Sequence, residues 1–427
     1  MPGAGENGEH RMPWPDRRIL DLFGIDLPII QAPMAGITTP ALISAVAREG
    51  GLGSLPLGMA TPDEARAALD AIGDADRARI NLNFFCHQPT PDDPLRTDAW
   101  QRRLENYFEE MGLPRPAQQV EQHSSSFGGW HCELVERVRP KVVSFHFGLP
   151  ERPLLERVRA TGAKIICSAT TVREARWLEA AGCDAIIAQG VEAGGHRGSF
   201  LDIEVATQVG TLALVPQLSD AVRVPVIAAG GIGDARGIAA ALALGASAVQ
   251  LGTAYLFCPE ARLSPTYRAA LESAGDDGTV ITNVLSGQPA RALRTRLVRA
   301  LGPLSSDTPV FPRPAFMLRP LSQASERMGR SDFMAIWCGQ SAPLCAKQPA
   351  AALTHRLAEE ARASWVFNVA QVDGWNPPQP KVRNPAETLL YGPCTLLGHR
   401  FTVGAFSVAF RHQTNRCRHS RQPRRTA

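Results

Sequence analysis

Short, almost continuously apolar segments alternate with longer amphipathic segments between about residues 16 and 258. Apolar runs of about four to eight residues are typical of buried strands, and apolar positions spaced three and four apart are typical of helices that cover a sheet. The pattern therefore predicts eight strands, most of them followed by a helix. These strands span residues 28–34, 51–57, 79–85, 141–147, 164–169, 185–190, 224–231 and 248–253.

Start and stop signals support the helices between these strands. Thr39-Pro40, Thr61-Pro62 and Thr171 each precede an amphipathic run. A threonine in this position can accept a hydrogen bond from a free N–H group of the first turn, and proline there lacks that donor altogether. Glycines follow several of the runs, as expected where a helix ends in a left-handed residue. They are Gly50, Gly162, Gly182 and Gly245.

Apolar strands that alternate with helices require a parallel sheet that is covered on both faces. Eight such units in about 240 residues match the size of a (β/α)8 TIM barrel, and an open doubly wound sheet is the structural alternative. We therefore predict a barrel over residues 16–258 and a smaller, mostly helical substrate-side domain over residues 259–363. Residues 1–15 and the basic tail 364–427 are expected to be disordered.

Charge narrows the possible partners. The formal net charge is +4, but nine Lys and Arg against two Asp and Glu lie between Val366 and Ala427, so the rest of the chain is mildly acidic. An acidic barrel does not favour nucleic-acid binding. Residues 237–258 carry no charge, but their period changes from helical to extended. We interpret them as a buried helix and strand rather than as a membrane span.

The cysteines and other candidate ligands indicate neither a disulfide scaffold nor a metal centre. Nine cysteines are scattered along the chain without a C-x-x-C pair, which favours reduced thiols in the cytoplasm. No spacing of His, Asp and Glu is typical of a metal site, and no G-x-S-x-G segment indicates a hydrolase. The first residues also lack the apolar run of a secretory leader.

Candidate chemistry lies at the carboxyl ends of the strands, where parallel barrels form their active sites. The seventh strand ends in a turn with Gly230 and Gly231, and the eighth ends in Gln-Leu-Gly-Thr at residues 250–253. Glycines let backbone N–H groups approach phosphate oxygens, and Thr253 can add a hydroxyl group. The two turns together predict a phosphate site, although a tight strand–helix turn would use the same glycines.

Two histidines are candidates for chemistry. His196 follows Gly194 and Gly195 in the loop after the sixth strand, at the mouth of the predicted barrel, where it could act as a base or an oxyanion partner. His146 lies within the fourth strand, where a hydrogen-bonded core histidine and a site residue are both consistent with the sequence. Other histidines are expected on the surface. They are His131, His355, His399, His412 and His419.

Five ordered segments resemble the FMN-dependent nitronate monooxygenases. They are QAPMAG (31–36), NFF (83–85), QGVEAGGHRG (189–198), AAGGIGDARG (228–237) and QLGT (250–253). The resemblance extends from about Pro28 to Ala363 and includes residues 286–296 and 337–344. It implies an enzyme in which an anionic alkyl nitronate passes an electron to FMN, and O2 then gives a carbonyl compound and nitrite.

The same resemblance implies roles for individual residues. The FMN phosphate is expected on the two glycine turns, and the flavin ring beside the first strand, with polar contacts from the third and sixth strands. The implied cofactor-binding residues are Ala32, Pro33, Met34, Asn83, Gln189, Gly194, Gly195, Gly230, Gly231, Gln250, Leu251, Gly252 and Thr253. His196, with His146 as a second candidate, would be the base or electrostatic partner of the nitronate. Some members carry a histidine on the fifth strand, where this chain has Cys167.

Two other functions remain open from the sequence. Similar barrel motifs serve FMN-dependent enoyl-acyl-carrier-protein reductases that use NAD(P)H, and a barrel with the same turns could bind flavin or phosphate without catalysis. The expected partners are a small-molecule nitronate and O2, with neither nucleic acid nor membrane. The expected state is a monomer or a homodimer.

Overall fold

The computed structural model describes residues 14–77, 79–88, 91, 93–114, 126–201 and 204–371 of the 427-residue chain. All of them fall within one compact unit. Most of both predicted disordered termini lie outside the described residues, as do His399, His412 and His419.

Each of the eight predicted strands is present, and together they close a barrel. The barrel strands are β1 (Ile29–Gln31), β2 (Gly53–Pro56), β3 (Ile80–Phe85), β4 (Val142–His146), β5 (Lys164–Ala169), β6 (Ala185–Gln189), β8 (Val226–Ala229) and β9 (Ala248–Leu251). Three further strands are β7 (Gly195–His196), β10 (Thr279–Thr282) and β11 (Ala290–Leu293). The order in the barrel is β1-β9-β8-β6-β5-β4-β3-β2, every pair is parallel, and a bridge between Ile30 and Leu52 joins the two edges of the sheet. The TIM barrel is therefore confirmed, and the open sheet is wrong.

The helices begin and end as their flanking residues predict. Thr39, Thr61 and Thr171 each accept a hydrogen bond from a first-turn N–H group, and all four predicted terminal glycines have positive φ. The helices are α1 (Arg18–Phe23), α2 (Pro40–Arg48), α3 (Pro62–Asp70), α4 (Asp74–Arg77), α5 (Pro94–Glu110), α6 (Gly129–Val138), α7 (Arg152–Ala160), α8 (Val172–Ala180), α9 (Thr211–Ala221), α10 (Ala235–Ala243), α11 (Thr253–Leu256), α12 (Pro265–Glu272), α13 (Arg296–Leu301), α14 (Arg313–Arg327) and α15 (Ala350–Gln371).

The uncharged segment 237–258 is a buried helix followed by a buried strand, as predicted. It covers most of α10, all of β9 and the short helix α11. In the described part of the chain, no helix is both long and apolar enough to span a bilayer.

Polar side chains lie inside the barrel and form hydrogen bonds between neighbouring strands. The side chain of Gln31 accepts from the Ser54 N–H at 2.9 Å, and the Asn81 amide donates to the Ser54 hydroxyl at 3.0 Å. The Asn83 amide donates to the Ser144 hydroxyl at 2.9 Å. All five residues are buried. Because a buried polar group without a partner costs about 1–3 kcal/mol, these bonds stabilise β1 to β4 in their positions relative to one another.

The segment 259–363 contains helices and also a small sheet that was not predicted. Strands β10 and β11 form an antiparallel pair, and β11 pairs with β7 through Ala290 and His196. This pairing ties the loop after β6 to a part of the chain about 90 residues away. The last helix, α15, continues to Gln371, beyond the predicted end of the helix at Ala363.

His131 is buried, so its predicted position on the surface is wrong. It is 1% exposed on α6 and stacks between Trp130 and Phe127. Its Nδ1 atom accepts a hydrogen bond from the Gly128 N–H at 3.0 Å, which caps the helix. Burial lowers the pKa of His131 to about 4. The sequence did not indicate this, because the residue before the helix is Gly128, which has no side chain to cap it. The His131 imidazole takes that role instead.

This burial predicts a loss of stability in mild acid. The pKa of His131 is near 6.5 in the unfolded chain and about 4 in the folded protein, so the unfolded state binds more protons between these pH values. The free energy of unfolding should therefore fall as the pH is lowered from 6.5 to 4, by up to about 1.4 kcal/mol per pH unit from this residue. Urea unfolding of the His131→Phe variant should show a shallower pH slope than the parent. An unchanged slope, with exposed His355→Phe as the control, would contradict this assignment.

Candidate active site

One cavity of about 450 Å³ lies at the carboxyl ends of the barrel strands. Of the fifteen residues predicted as site residues, fourteen line it, although they come from separate segments of the chain. Leu251 does not, because its side chain is buried in the core and its carbonyl accepts a hydrogen bond from the Ala32 N–H at 2.8 Å. Leu251 thus holds β1 against β9 instead of facing the cavity.

The turn after β8 requires both of its predicted glycines. Gly230 has φ +105° and Gly231 has φ +72°, a region that other residues rarely adopt. A Cβ atom on Gly230 would also lie 2.9 Å from the backbone nitrogen of Ala193. The loop after β6 therefore packs directly on the turn after β8.

A third loop closes against these two. A Cβ atom on Gly194 would lie 2.5 Å from the carbonyl carbon of Cys338 and 2.5 Å from the Gly339 nitrogen. The Gly339 N–H donates to Thr253 Oγ1 at 2.8 Å. Thr253 is thus held by residues 337–341, and the three loops form one wall of the cavity.

Several polar groups of this wall have no partner among the described residues. The Oε1 atom of Gln250 is buried and unpaired, and the N–H groups of Gly231, Gly252 and Thr253 donate no hydrogen bond within the described chain. Buried polar groups are nearly always paired in folded proteins, so the Gln250 oxygen is suited to a polar ligand in the cavity. The three N–H groups belong to residues that line the same cavity and can donate to a ligand there.

His196 places its ring in an aromatic part of the cavity. The centroid of its ring lies 5.3 Å from that of Phe311 and 5.2 Å from that of Trp337. Its Nε2 atom is 2.9 Å from the Ser286 hydroxyl oxygen. Burial, with smaller contributions from His146 and His87, lowers the pKa of His196 to about 3. Its imidazole is therefore neutral at pH 7. The neutral ring can donate or accept a hydrogen bond with a ligand, but it carries no charge before a ligand binds.

His146 and Gln189 hold the backbone of His196. The Nε2 atoms of both side chains lie near the His196 carbonyl, at 3.2 Å for His146 and 3.0 Å for Gln189. Because a carbonyl only accepts, His146 carries its proton on Nε2, and its Nδ1 atom accepts from the Ser168 hydroxyl at 3.1 Å. Burial lowers the pKa of His146 to about 4. In this arrangement both ring nitrogens of His146 are occupied by the protein.

Cys167 lies on the opposite face of β5 from the cavity. It is fully buried, its Sγ atom is 3.3 Å from the Gly148 carbonyl oxygen, and burial raises the pKa of its thiol well above the usual value. The next residue, Ser168, faces the cavity and contacts His146. A base at position 167 would thus point away from the cavity, because successive strand residues alternate between faces.

Sequence reasoning missed several residues of the cavity wall. Ser286 stands in a segment that already resembled the family, but nothing in its spacing placed it beside His196. Trp337 and Gly339 belong to another such segment, whereas Phe311 and Ser168 carried no signal. All five line the cavity. Their common feature is that long-range packing, and not a local motif, brings them to the site.

A family model described as nitronate monooxygenase matches residues 16–360 of the chain. The chain is 42% identical over 347 residues to a nitronate monooxygenase of Pseudomonas aeruginosa, an alignment that covers 81% of this chain and 99% of the relative. It is 41% identical over 352 residues to a nitronate monooxygenase of Paraburkholderia phytofirmans, with 82% of this chain and 96% of the relative covered.

The chain is also similar to a solved structure. The nitroalkane oxidase from Streptomyces ansochromogenes superimposes with a TM-score of 0.74 at 34% identity, over 82% of this chain and 99% of that one.

Proposed function

The chain belongs to the nitronate monooxygenase family, and from this membership we propose that the cavity oxidises alkyl nitronates with O2 to a carbonyl compound and nitrite. The observation that carries the proposal is the convergence of fourteen predicted residues on one cavity. They come from six separate segments of the chain, and all of them face the same space.

Members of this family generally depend on a flavin, and we infer that the flavin here is FMN. The unpaired N–H groups of Gly231, Gly252 and Thr253 are donors of the kind that hold a phosphate. The unpaired Oε1 atom of Gln250 can accept a hydrogen bond from the polar edge of a flavin ring, and Ala32, with its neighbours 33 and 34, supplies an apolar face. When bound, FMN would supply the electron acceptor that the oxidation of a nitronate needs.

His196 is proposed to bind and orient the nitronate. Its ring faces the cavity, and its carbonyl is fixed by two side chains, so the imidazole has a defined position relative to the barrel. An anion placed beside the ring would favour its protonated form and so raise its low pKa. His146 is proposed as a positioning residue and not as a second base, because both its nitrogens are already bonded.

The aromatic rings around His196 would exclude water from the nitronate. Phe311 and Trp337 lie beside the His196 ring, Phe85 lies 6.4 Å from Phe311 between ring centroids, and all three line the cavity. In such an apolar setting, a hydrogen bond from His196 to an anionic oxygen is stronger than in water. We therefore expect the charged group of the nitronate to lie at His196 and its alkyl chain to lie against the aromatic rings.

Anaerobic mixing of the flavin-loaded protein with an alkyl nitronate tests this proposal. The nitronate alone should bleach the flavin absorbance, because it is itself the reductant. Bleaching only by NADH, followed by reoxidation with an enoyl thioester, would contradict the proposal and support the reductase alternative. A yellow protein that neither nitronate nor NADH bleaches would contradict it and support a non-catalytic flavin-binding barrel.

A further inference from the structure

A second cavity, of about 510 Å³, lies beside the first in the described part of the chain. It is lined by polar and apolar residues in nearly equal number, among them His87, Asn283 and Val310. The Nδ1 atom of His87 is buried and has no hydrogen-bond partner among the described residues. We call this volume the outer cavity, and the volume beside His196 the inner cavity.

Phe311 is the single residue that lines both cavities. Its ring centroid lies 5.3 Å from that of His196 on the inner side and 5.1 Å from that of His87 on the outer side. The Phe147 ring lies beside it, with 5.7 Å between the ring centroids. The ring therefore forms part of the boundary between the two volumes.

The backbone that carries this ring is closely packed. A Cβ atom on Gly287 would lie 2.6 Å from the Phe311 nitrogen, and Gly287 itself has φ +92°. The segment 309–311 thus lies directly on the turn after Ser286, the residue that bonds His196. A ring anchored in this way stays between the cavities unless its side chain rotates.

We propose that Phe311 determines substrate specificity by limiting the length of the alkyl chain that the inner cavity accepts. This rests on the proposed function. The inner cavity must hold both the flavin and the nitronate, and a drug-sized cofactor takes up much of about 450 Å³. A chain that extends from a nitronate at His196 past the first few carbons therefore meets the Phe311 ring. Behind this ring, the outer cavity offers room that the chain does not reach.

A series of primary alkyl nitronates, from ethyl to octyl, tests the proposal. Each methylene that enters an apolar site should raise kcat/KM about fourfold, until the chain meets the ring. The wild-type series should therefore rise and then level off or fall. In Phe311→Ala the rise should continue for several more carbons, which increases the octyl-to-ethyl ratio at least tenfold. Phe311→Leu, a smaller change to the packing, should give an intermediate ratio.

Leu304→Ala is the matched control, because Leu304 lines the outer cavity only and is half exposed. It should leave the chain-length series of the wild type unchanged. A wild-type series that rises without a break to octyl, or a break that stays at the same length in both Phe311 variants, would overturn the proposal.

Binding separates this proposal from the function on which it rests. Linear alkanoates from acetate to octanoate carry a planar anionic head like that of a nitronate, and their Kd can be read from the flavin absorbance without turnover. The Kd should stop improving at the same chain length as kcat/KM, and Phe311→Ala should move this limit outward. If nitronates are not oxidised but the alkanoate limit still moves, the function is wrong and the role of Phe311 stands. If the limit does not move, the role of Phe311 is wrong.

Discussion

Replacing His196 with asparagine should lower kcat/KM for an alkyl nitronate by about 10²-fold or more, with the flavin still bound. The imidazole faces the inner cavity, and Ser286 holds its Nε2 atom at 2.9 Å. Asparagine keeps a polar group but is too short to reach the same point. The flavin should remain, because its proposed contacts come from other residues. Steady-state oxygen uptake and the flavin-to-protein absorbance ratio measure the two effects.

His355→Asn is the matched control for this variant. His355 is exposed on α15, with its Nδ1 atom 3.5 Å from Glu49, and lies outside the cavity wall. It should leave kcat/KM and flavin content unchanged. A His196→Asn enzyme with the kcat/KM of the parent would remove His196 from the mechanism.

The second large effect is expected at Gly194. Alanine there would place its Cβ atom 2.5 Å from two backbone atoms of Cys338 and Gly339. Backbone atoms in a three-loop wall cannot move aside as a flexible side chain can, so the cost should reach about 3 kcal/mol, the upper end for overpacking. Because residues 337–341 also hold Thr253, the variant should lose most of its flavin. Thermal unfolding and flavin content report these changes.

Gly129→Ala provides the comparison for Gly194→Ala. Gly129 is the first residue of α6, and a Cβ atom added there meets nothing within 4 Å. Alanine also favours a helix over glycine by about 0.5–1 kcal/mol. This control should therefore be as stable as the parent or slightly more stable. Equal flavin content in the two variants would contradict the proposed packing of the three loops.

The elements that local chemistry determines were predictable from the sequence. The eight strands, the threonine caps and the terminal glycines each depend on residues that lie within a few positions of one another. The glycine turns were recognisable for the same reason, since Gly230 and Gly231 adopt a conformation that few other residues allow. Parallel strand topology then brought their carboxyl ends, and with them fourteen predicted residues, to one cavity.

Features that depend on long-range packing were not predictable. The pairing of β7 with β11 positions His196, but β11 is a four-residue strand without a distinctive pattern. Ser286 contacts His196 across 90 positions of sequence, and Phe311 meets it only because residues 309–311 pack on Gly287. Nor does the sequence show that His196 is neutral, because its low pKa arises from burial by these distant residues.

Oxygen consumption by the purified, flavin-loaded protein tests the central claim most directly. With an alkyl nitronate as the only reductant, we predict oxygen uptake together with the formation of nitrite and the corresponding carbonyl compound. The same assay with His196→Asn should show uptake at least about 10²-fold slower at low nitronate concentration. Flavin-loaded protein that consumes no oxygen and releases no nitrite with any alkyl nitronate would contradict the account.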